Sequence, residues 1–295
     1  MNTNSIIIEH KEDDRLRKSY TGNLFPELYE RKPFLKWAGG KTQLIPYLVK
    51  YIPKKFNKYI EPFVGAGALF FHLNHPLSII SDLNKELMIT YEVVRDDVYS
   101  LINLLDSYVN EKFFFYKIRA LNPMNLSRVE RAARLIYLNK TCFNGLYRVN
   151  KKGHFNVPYN NRSGKQFYDK DNLINASRSL RNAQTFHCDY HFIFENFAEK
   201  DDLVFIDPPY QPISIYSDFK RYTKEFFYED DQKELFNQFK LLVEKGCFVI
   251  LTNAAHPLIY DLYKDFRIVT IETKRLISSN PNTRKGKDII VIGEK

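Results

Sequence analysis

Apolar residues along this chain of 295 residues recur in patterns that predict strands and helices in alternation. An apolar run over residues 58–63 predicts a buried strand, and two further runs of this kind end at Asp82 and at Asp207. From Asn84 to about Asn110 the apolar residues recur at helical spacing, which predicts one long amphipathic helix. Strands that alternate with helices favour a mainly parallel sheet covered by helices.

The end of the chain departs from this alternation. CFVILTN predicts a strand after the helical pattern EDDQKELFNQFKLLVEKG, and FRIVTIETK and DIIVIGEK follow as two strands with no helix between them. The basic loop RLISSNPNTRKGK joins these two strands, so we expect an antiparallel pair that closes the sheet. The fold class predicted from the pattern is therefore α/β.

The middle of the chain is too long for a plain alternation of strands and helices. Gly67 and Asp207 lie 140 residues apart, whereas two βαβ crossovers need roughly 60–70 residues, at about 30 or more per unit. The surplus predicts an inserted module. It contains the helical pattern RVERAARLIYLNKTCF and two alternating runs around Lys151-Lys152-Gly153, which predict a β-hairpin.

These patterns predict three parts of the chain. Residues 1–31 form a charged lead-in that we expect to be partly disordered. Residues 32–110 and 186–295 form the α/β core, and residues 111–185 form a mainly helical insertion that carries the hairpin.

Composition and charge narrow the range of functions. With 44% hydrophobic and 27% charged residues the chain has ample material for a core, which excludes disorder as its main state. Lys and Arg outnumber Asp and Glu by 44 to 35, and the net charge of +9 favours a polyanionic partner. No apolar stretch reaches the ~18 residues of a membrane helix and no signal peptide is visible, so we expect a cytoplasmic protein that does not bind a membrane.

Cysteine and histidine patterns exclude several kinds of site. Cys142, Cys188 and Cys247 form no CxxC pair and fit neither a disulfide framework nor a zinc site, which is typical of a reducing compartment. The histidines show no ligand spacing, so we expect no metal. Methylation at cytosine C5 needs a thiolate nucleophile, commonly in a Pro-Cys pair, and the chain has no Pro-Cys.

A glycine turn follows the strand predicted over residues 58–63. Gly65 and Gly67 let the backbone turn sharply and approach a ligand closely. Asp82 ends the next strand, where nucleotide-binding folds carry an acidic residue that binds ribose hydroxyls. Phe70 stands where a dinucleotide fingerprint has its third glycine, which favours a nucleoside-type cofactor without a pyrophosphate. An ordinary tight turn is the alternative.

The motif Asp207-Pro208-Pro209-Tyr210 follows the predicted strand LVFI directly. A carboxylate and a backbone carbonyl fixed by proline offer two acceptors for the two hydrogens of an exocyclic amine. The aromatic ring beside them can stack on a planar base. An amine held in this way can aim its lone pair at an electrophilic methyl group. A proline turn that simply ends the strand is the alternative explanation.

Two further segments have side chains suited to nucleosides or nucleic acid. In FLKWAGGK, Trp37 can stack on an adenine while Lys41 neutralises a carboxylate, although an ordinary buried Trp beside a turn fits as well. In the hairpin, basic and amide side chains alternate with apolar ones, as a groove-reading element requires. These residues are Asn144, Leu146, Tyr147, Arg148, Lys151, Lys152, His154, Phe155, Tyr159 and Arg162. A solvated basic hairpin is the alternative.

Four motifs in this order, FLKWAGGK, YIEPFVGAGALF, NGLYRVNKKGHFNVPY and VFIDPPY, resemble those of the Dam family of DNA adenine-N6 methyltransferases, the D12 class. The resemblance covers residues 33–295. It implies a Rossmann-like methyltransferase sheet with helices on both faces and a DNA target-recognition insertion. It also implies S-adenosyl-L-methionine as the methyl donor and S-adenosyl-L-homocysteine as the product, with no metal.

The resemblance assigns site residues by their position in these motifs. It implies catalysis by Asp207, Pro208, Pro209 and Tyr210. It implies cofactor binding by Trp37, Lys41, Phe63, Gly65, Gly67, Asp82, Asp189, Tyr190 and Asp207. It implies DNA binding by Lys36, Asn144, Leu146, Arg148 and Pro158, to which the hairpin pattern adds Arg162. After NVPY the family continues Gly-Arg-Tyr, whereas this chain has Asn160-Asn161-Arg162-Ser163.

The expected function is methyl transfer to the N6 amine of adenine in a short duplex DNA site, GATC or a related sequence, after the adenine has been flipped out of the stack. The DPPY motif alone does not separate adenine from cytosine. A cytosine-N4 DNA or RNA-base amino-methyltransferase is therefore one alternative, and a non-catalytic DNA-binding protein is another. We expect a monomer, bacterial or phage-encoded, alongside a companion restriction endonuclease that acts separately.

Overall fold

The computed structural model of the protein describes residues 7–9, 31–37, 39–150, 153–210, 227–274 and 285–295. Their strands form one eight-stranded sheet. The strands are β1 (Ile7–Glu9), β2 (Tyr59–Glu61), β3 (Ser78–Ser81), β4 (Ala183–Phe186), β5 (Leu203–Ile206), β6 (Phe248–Ala254), β7 (Arg267–Lys274) and β8 (Lys285–Gly293). Most of the predicted lead-in lies outside the described residues, as do Lys151, Lys152 and the basic loop between β7 and β8.

Helices cover the sheet, as the fold class predicts. They are α1 (Ile45–Leu48), α2 (Ala68–Leu73), α3 (Lys85–Asp96), α4 (Val98–Asp106), α5 (Lys112–Ala120), α6 (Arg128–Thr141), α7 (Lys170–Leu180), α8 (Tyr190–Asn196), α9 (Glu229–Lys245) and α10 (Pro257–Leu262). None of the helices in these described stretches is both long and apolar enough to cross a membrane.

The core is divided between the two faces of the sheet. Along β5, Leu203 and Phe205 pack into one buried cluster, whereas Val204 and Ile206 pack into another. Because successive side chains of a strand point to opposite faces, the two clusters lie on opposite sides of the sheet. Helices α1–α4, α6 and α7 cover the first face, and α8–α10 cover the second. The α/β fold with helices on both faces is therefore confirmed.

The strand order across the sheet is β1-β7-β8-β6-β5-β2-β3-β4. Strands β2 to β6 run parallel to one another, while β8 is antiparallel to both β6 and β7, so the predicted antiparallel closing pair is confirmed. Strands β2 and β5 are neighbours, with Tyr59 opposite Leu203. Chain order reverses at this pair, and ligands of open α/β sheets bind outside the carboxyl ends of strands at such a point.

The prediction of one long helix from Asn84 to Asn110 is wrong. The segment forms two helices, α3 and α4, because Asp97 leaves the helical conformation at φ −143° and ψ 48°. The apolar stripe behind the prediction is nevertheless buried, at Leu87 and Tyr91 before the break as well as Leu101 after it. Asp is a poor residue for a helix interior, and the break starts a second helix that packs on α6 and α7.

Part of the predicted insertion forms a small separate cluster, whereas the apolar residues within positions 132–136 and Leu173 pack into the cluster on the first face of the sheet. Phe115 of α5 and Tyr137 of α6 pack with Phe155 and Tyr159 from the predicted hairpin. The two hairpin segments are joined by isolated bridges, Cys142 opposite Tyr159 and Val149 opposite Phe155, rather than by regular strands. The unpredicted strand β4 pairs with β3 and lies across the expected boundary between residues 185 and 186.

We expect the capping box at the start of α6 to stabilise the fold. The Ser127 hydroxyl accepts from the Glu130 N–H and the Glu130 carboxylate accepts from the Ser127 N–H. Ser127→Ala should lower the free energy of unfolding by about 1 kcal/mol, as measured by urea denaturation, because one helix N–H loses its acceptor. Ser100→Ala, on the exposed side of α4, is the control. Equal stability of the two variants would contradict the capping role.

Candidate active site

Asp207 follows β5 directly and lies against a lysine from the FLKWAGGK motif. Lys41 Nζ is 2.7 Å from Asp207 Oδ1, and their side chains are only 7% and 17% exposed. The Thr252 hydroxyl, from the neighbouring strand β6, donates to the same oxygen at 2.7 Å. Burial raises the pKa of Asp207, and Lys41 and Thr252 counteract part of that rise. The structure thus brings two of the predicted motifs into contact.

Lys41 also contacts the last residue of the DPPY motif. Its Nζ lies 4.5 Å from the centre of the Tyr210 ring, a distance at which a cation is attracted to an aromatic face. Pro208 is buried and Tyr210 is half-buried. One ammonium group therefore holds both the carboxylate and the ring of the motif.

The glycine turn after β2 is held by Asp82. One carboxylate oxygen of Asp82 accepts from the Gly65 N–H at 3.1 Å, and the other accepts from the Asn84 N–H at 2.8 Å. Gly65 and Gly67 both adopt the left-handed conformation, at φ +48° and +67°. Asp82 itself is buried. Its first role in the fold is therefore to set the shape of this turn.

Trp37 packs against the glycine turn. A Cβ added at Gly65 would lie 2.9 Å from Trp37 Cδ1, so only glycine leaves room for the indole. On its other side the indole stacks on Tyr147, with ring centres 5.2 Å apart and planes inclined by 22°. Tyr147 belongs to the insertion. Trp37, which is predicted to bind the cofactor, therefore stacks on a residue of the segment that is predicted to bind DNA.

Three further residues predicted to bind the cofactor lie close to one another. The rings of Phe63 and Tyr190 have their centres 5.3 Å apart. Asp189 caps α8 by accepting from the His191 N–H at 2.9 Å, and its carboxylate also contacts the His191 ring. Burial lowers the pKa of His191, but its bonds to Asp189 and Glu234 outweigh this effect and raise it. His191 was not predicted from the sequence, where its only signal is its position in the first turn of a capped helix.

Asn139 joins the FLKWAGGK motif to the insertion. Its side chain accepts from the Lys36 N–H at 2.9 Å and donates to the carbonyls of Lys36 and Gly145 at 2.6 and 3.1 Å. The Lys36 stem passes over Gly145, where an added Cβ would lie 2.5 Å from Lys36 Cδ. The sequence analysis missed Asn139, although a lone amide in the buried stripe of α6 was a usable signal.

The residues predicted to bind DNA differ in exposure. Lys36, Asn144, Pro158 and Arg162 are exposed, whereas Leu146 and Arg148 are half-buried. Arg148 donates from Nε to the Asn156 side chain at 2.8 Å, and the Arg162 carbonyl accepts from Asn110 at 2.9 Å. The backbone carbonyl of Pro158 accepts from the Phe143 N–H at 2.8 Å. Phe143, which the sequence analysis did not single out, exposes half of its ring beside Asn144.

A basic cluster formed by Lys32, Lys36 and Lys140 adjoins this region. Burial lowers the pKa of Lys140 to about 8, and the charge of Lys36 and Lys32 adds to the effect, which Asp169 opposes. Lys140 is the last residue but one of α6 and follows Asn139 directly. The sequence analysis did not predict it, because a lysine in the last turn of a helix is common on any surface.

The described residues contain no cluster of three His, Cys, Asp or Glu side chains arranged to hold a metal ion. The three cysteines are free thiols, and burial raises the pKa of Cys142 to about 12 and that of Cys247 to about 11. Thiols with a raised pKa are poor nucleophiles at neutral pH.

Comparisons with known proteins show which family the chain resembles. A model of the family described as D12 class N6 adenine-specific DNA methyltransferase matches residues 37–277. The chain is 40% identical over 278 residues to the type II methyltransferase M.MjaIII of Methanocaldococcus jannaschii, with 87% of this chain and 96% of that protein covered. It is 40% identical over 269 residues to M1.LlaDCHI of Lactococcus lactis subsp. cremoris, covering 88% and 94%. It is 32% identical over 265 residues to the DNA adenine methylase of Escherichia coli strain K12, also covering 88% and 94%.

Gly65→Ala tests the packing of Trp37 on the glycine turn. Trp37 is the only tryptophan of the chain, so its fluorescence reports on this site alone. We expect a red-shifted emission, because the new Cβ displaces the indole towards water, together with a loss of stability of about 1 kcal/mol or more from the positive φ. Gly164→Ala is the matched control, since Gly164 has φ +72° with no atom within 4 Å of an added Cβ. An unshifted emission in a folded Gly65→Ala protein would disprove the contact.

Proposed function

The chain belongs to the family of D12 class N6 adenine-specific DNA methyltransferases, and on this premise we propose that Asp207–Tyr210 is its catalytic loop. The observation that carries the proposal is the contact of Asp207 with Lys41 and Thr252 at the carboxyl end of β5. This end of β5 adjoins β2, which leads into the glycine turn. The loop and the turn therefore lie where open α/β sheets bind ligands.

S-adenosyl-L-methionine supplies, when bound, an electrophilic methyl group on a sulfonium. The residues present fit such a molecule. Gly65 and Gly67 carry no side chain, so the backbone of the turn can approach a ligand closely. Carboxylates at Asp82 and Asp189 suit hydroxyl and amine hydrogens, and the rings of Phe63 and Tyr190 suit a planar base. We assign cofactor binding to these residues together with Trp37, Lys41, Gly65, Gly67 and Asp207.

The catalytic loop then acts by orienting the target amine. Lys41 and Thr252 both engage Oδ1 of Asp207, so we assign Oδ2 and the Pro208 carbonyl as acceptors of the two N6 hydrogens. Tyr210 stacks on the adenine ring. Held in this way, the N6 amine would direct its lone pair at the methyl group that the bound cofactor supplies, and its released proton would pass to Oδ2 of Asp207. Because this proton becomes acidic only as the bond forms, Asp207 need not be a strong base.

Base flipping follows from the burial of the loop. The Asp207 side chain is 17% exposed, and a stacked adenine within a duplex could not reach it. The target base must therefore leave the stack, at a cost of a few kcal/mol. We assign DNA contacts to Lys36, Asn144, Leu146, Arg148, Pro158 and Arg162. The exposed ring of Phe143 lies among them and is suited to fill the gap that the flipped base leaves.

We further propose that the chain reads GATC or a related site in duplex DNA as a monomer. Two of the relatives are named type II methyltransferases. Their names support a modification role beside a restriction endonuclease that acts separately. Long-read sequencing of DNA from cells that express the chain would identify both the modified base and its sequence context, and DNA without modified adenine would contradict the proposal.

Asp207→Asn should abolish methyl transfer, and it should also lower the free energy of unfolding because Lys41 loses its charge partner, so folding of the variant is checked by circular dichroism at the assay temperature. The substitution keeps the size of the side chain but replaces an acceptor oxygen by an amide and removes the partner of Lys41. We expect the single-turnover rate to fall by at least about 100-fold, because orientation supplies much of the catalysis. Asp201→Asn, at the exposed start of β5, is the matched control and should keep the wild-type rate. Transfer by Asp207→Asn at a near wild-type rate would refute the catalytic assignment.

Lys140 should make DNA affinity depend on pH. Its pKa of about 8 means that the side chain is charged at pH 7 and loses its charge as the pH rises. A bound phosphate raises this pKa, so we expect affinity at constant salt to fall between pH 8 and about 9.5. Fluorescence anisotropy with a labelled duplex measures this dependence.

Two variants of Lys140 test whether its charge causes the pH dependence. One keeps the charge at every pH and the other removes it. Lys140→Arg stays charged throughout and should flatten the profile. Lys140→Met should bind more weakly at pH 7 and reduce the salt slope of binding by about 1. Unchanged affinity and salt slope in Lys140→Met would show that Lys140 contacts no phosphate.

A further inference from the structure

Gln232 is a fully buried amide in the second turn of α9 that contacts the catalytic loop. Its Nε2 donates to the backbone carbonyl of Pro209 at 3.1 Å. Its Oε1 accepts from the Asn253 side chain at 3.0 Å. Asn253 is also fully buried and follows Thr252 on β6. A chain of hydrogen bonds therefore runs from the sheet through Gln232 to the loop.

The two prolines give this contact its importance. Pro208 and Pro209 have no N–H, so this stretch of the loop can be held through its carbonyls but not through its own donors. The Pro209 carbonyl belongs to the same rigid peptide unit as the Tyr210 nitrogen. A donor that fixes this carbonyl therefore limits the position of the Tyr210 backbone and, through it, of the ring.

The backbone of β6 sets the direction of this chain of hydrogen bonds, that is, which amide groups donate and which accept. The Asn253 Oδ1 accepts from the Ala254 N–H at 2.8 Å, so the Asn253 amide turns its NH₂ group towards Gln232. Gln232 must then accept from Asn253 with its oxygen, which turns its own NH₂ group towards Pro209. An amide both accepts and donates in this way at every pH, since it does not titrate. Thr252, the neighbour of Asn253, donates to Asp207, so adjacent residues of β6 hold both ends of the Asp207–Pro209 segment.

We propose that Gln232 is a positioning residue for methyl transfer, which it serves by fixing the Pro209 carbonyl and hence Tyr210. Asn253 acts through Gln232. The inference rests on the proposed catalytic role of Asp207–Tyr210. Because Gln232 lies beneath the loop and not on its ligand side, its loss should slow the transfer step without weakening the binding of either ligand.

Gln232→Met removes both hydrogen bonds while filling nearly the same volume. We expect the single-turnover methyl-transfer rate to fall about 10- to 100-fold, since small displacements of reacting groups have effects of this size. The dissociation constants for S-adenosyl-L-methionine and for duplex DNA should stay within about threefold of wild type. This change in binding free energy is smaller than the ~1.4 kcal/mol that corresponds to a tenfold change. Leu242→Ala, a buried core truncation on the same helix, is the control for general destabilisation and should keep the wild-type rate.

A Gln232→Met rate within twofold of wild type would overturn the inference, and so would an equal loss in Leu242→Ala. Neither result would affect the proposed function, which the Asp207→Asn measurement tests separately. Asn253→Ala should slow transfer in the wild-type background but add little to Gln232→Met, because both changes break the same chain of bonds. Additive losses would show that Asn253 acts by another route.

Gln232→Glu keeps the shape of the side chain and tests whether a hydrogen-bond donor to the Pro209 carbonyl is required. A protonated carboxyl at this position can donate to the Pro209 carbonyl and accept from Asn253, whereas an ionised one cannot donate. Burial raises the pKa of such a carboxyl, which brings its ionisation towards the working pH range. We expect the rate of Gln232→Glu relative to wild type to be highest at acid pH and to fall as the pH rises. A ratio independent of pH would contradict the requirement for a donor at Pro209.

Discussion

The candidate site depends on the ion pair between Lys41 and Asp207. The two residues lie 166 positions apart in the chain (207 − 41), and their contact fixes the FLKWAGGK segment against the DPPY motif. A nearly buried pair adds little net stability, because the loss of hydration opposes the attraction between the charges. Removal of one partner is far more costly, since it leaves a buried charge alone. The pair is therefore better explained by the geometry that it imposes than by a contribution to folding.

The neighbouring strands β2 and β5 make this contact possible, and their sequence already indicated it. Each strand is a short apolar run followed at once by a special turn, glycine-rich after β2 and proline-rich after β5. In a parallel sheet such turns share one edge, so the elements, the motifs and their approximate meeting point could be predicted. The break at Asp97 and the strand β4 could not. Both depend on how segments far apart in the chain pack, which the local pattern does not encode.

The residues that hold the site together were the hardest to predict. Thr252, Asn139 and Gln232 are each a single polar residue in an otherwise apolar stripe, and each meets a backbone or side chain far away in the sequence. A buried polar residue signals that a partner exists, because an unsatisfied group in the core is costly. It does not say which partner. The apolar stripes could therefore have shown that Thr252, Asn139 and Gln232 each have a buried partner. They could not have shown that these partners are the catalytic loop and its neighbours.

Charge is distributed so that a protein acting on a polyanion can keep carboxylates at the centre of its site. Burial raises the pKa of Glu61 well above its ordinary value and the nearby Asp207 raises it further, while hydrogen bonds from Tyr59 and from the Phe70 backbone, together with the charge of Lys41, oppose the rise. Lys41 neutralises Asp207 directly. The cations of Lys32, Lys36 and Lys140 lie beside the exposed segment that includes Asn144. A phosphate backbone would therefore meet positive charge first, and the Asp207 carboxylate beneath it is paired with Lys41, so that it repels the phosphates little.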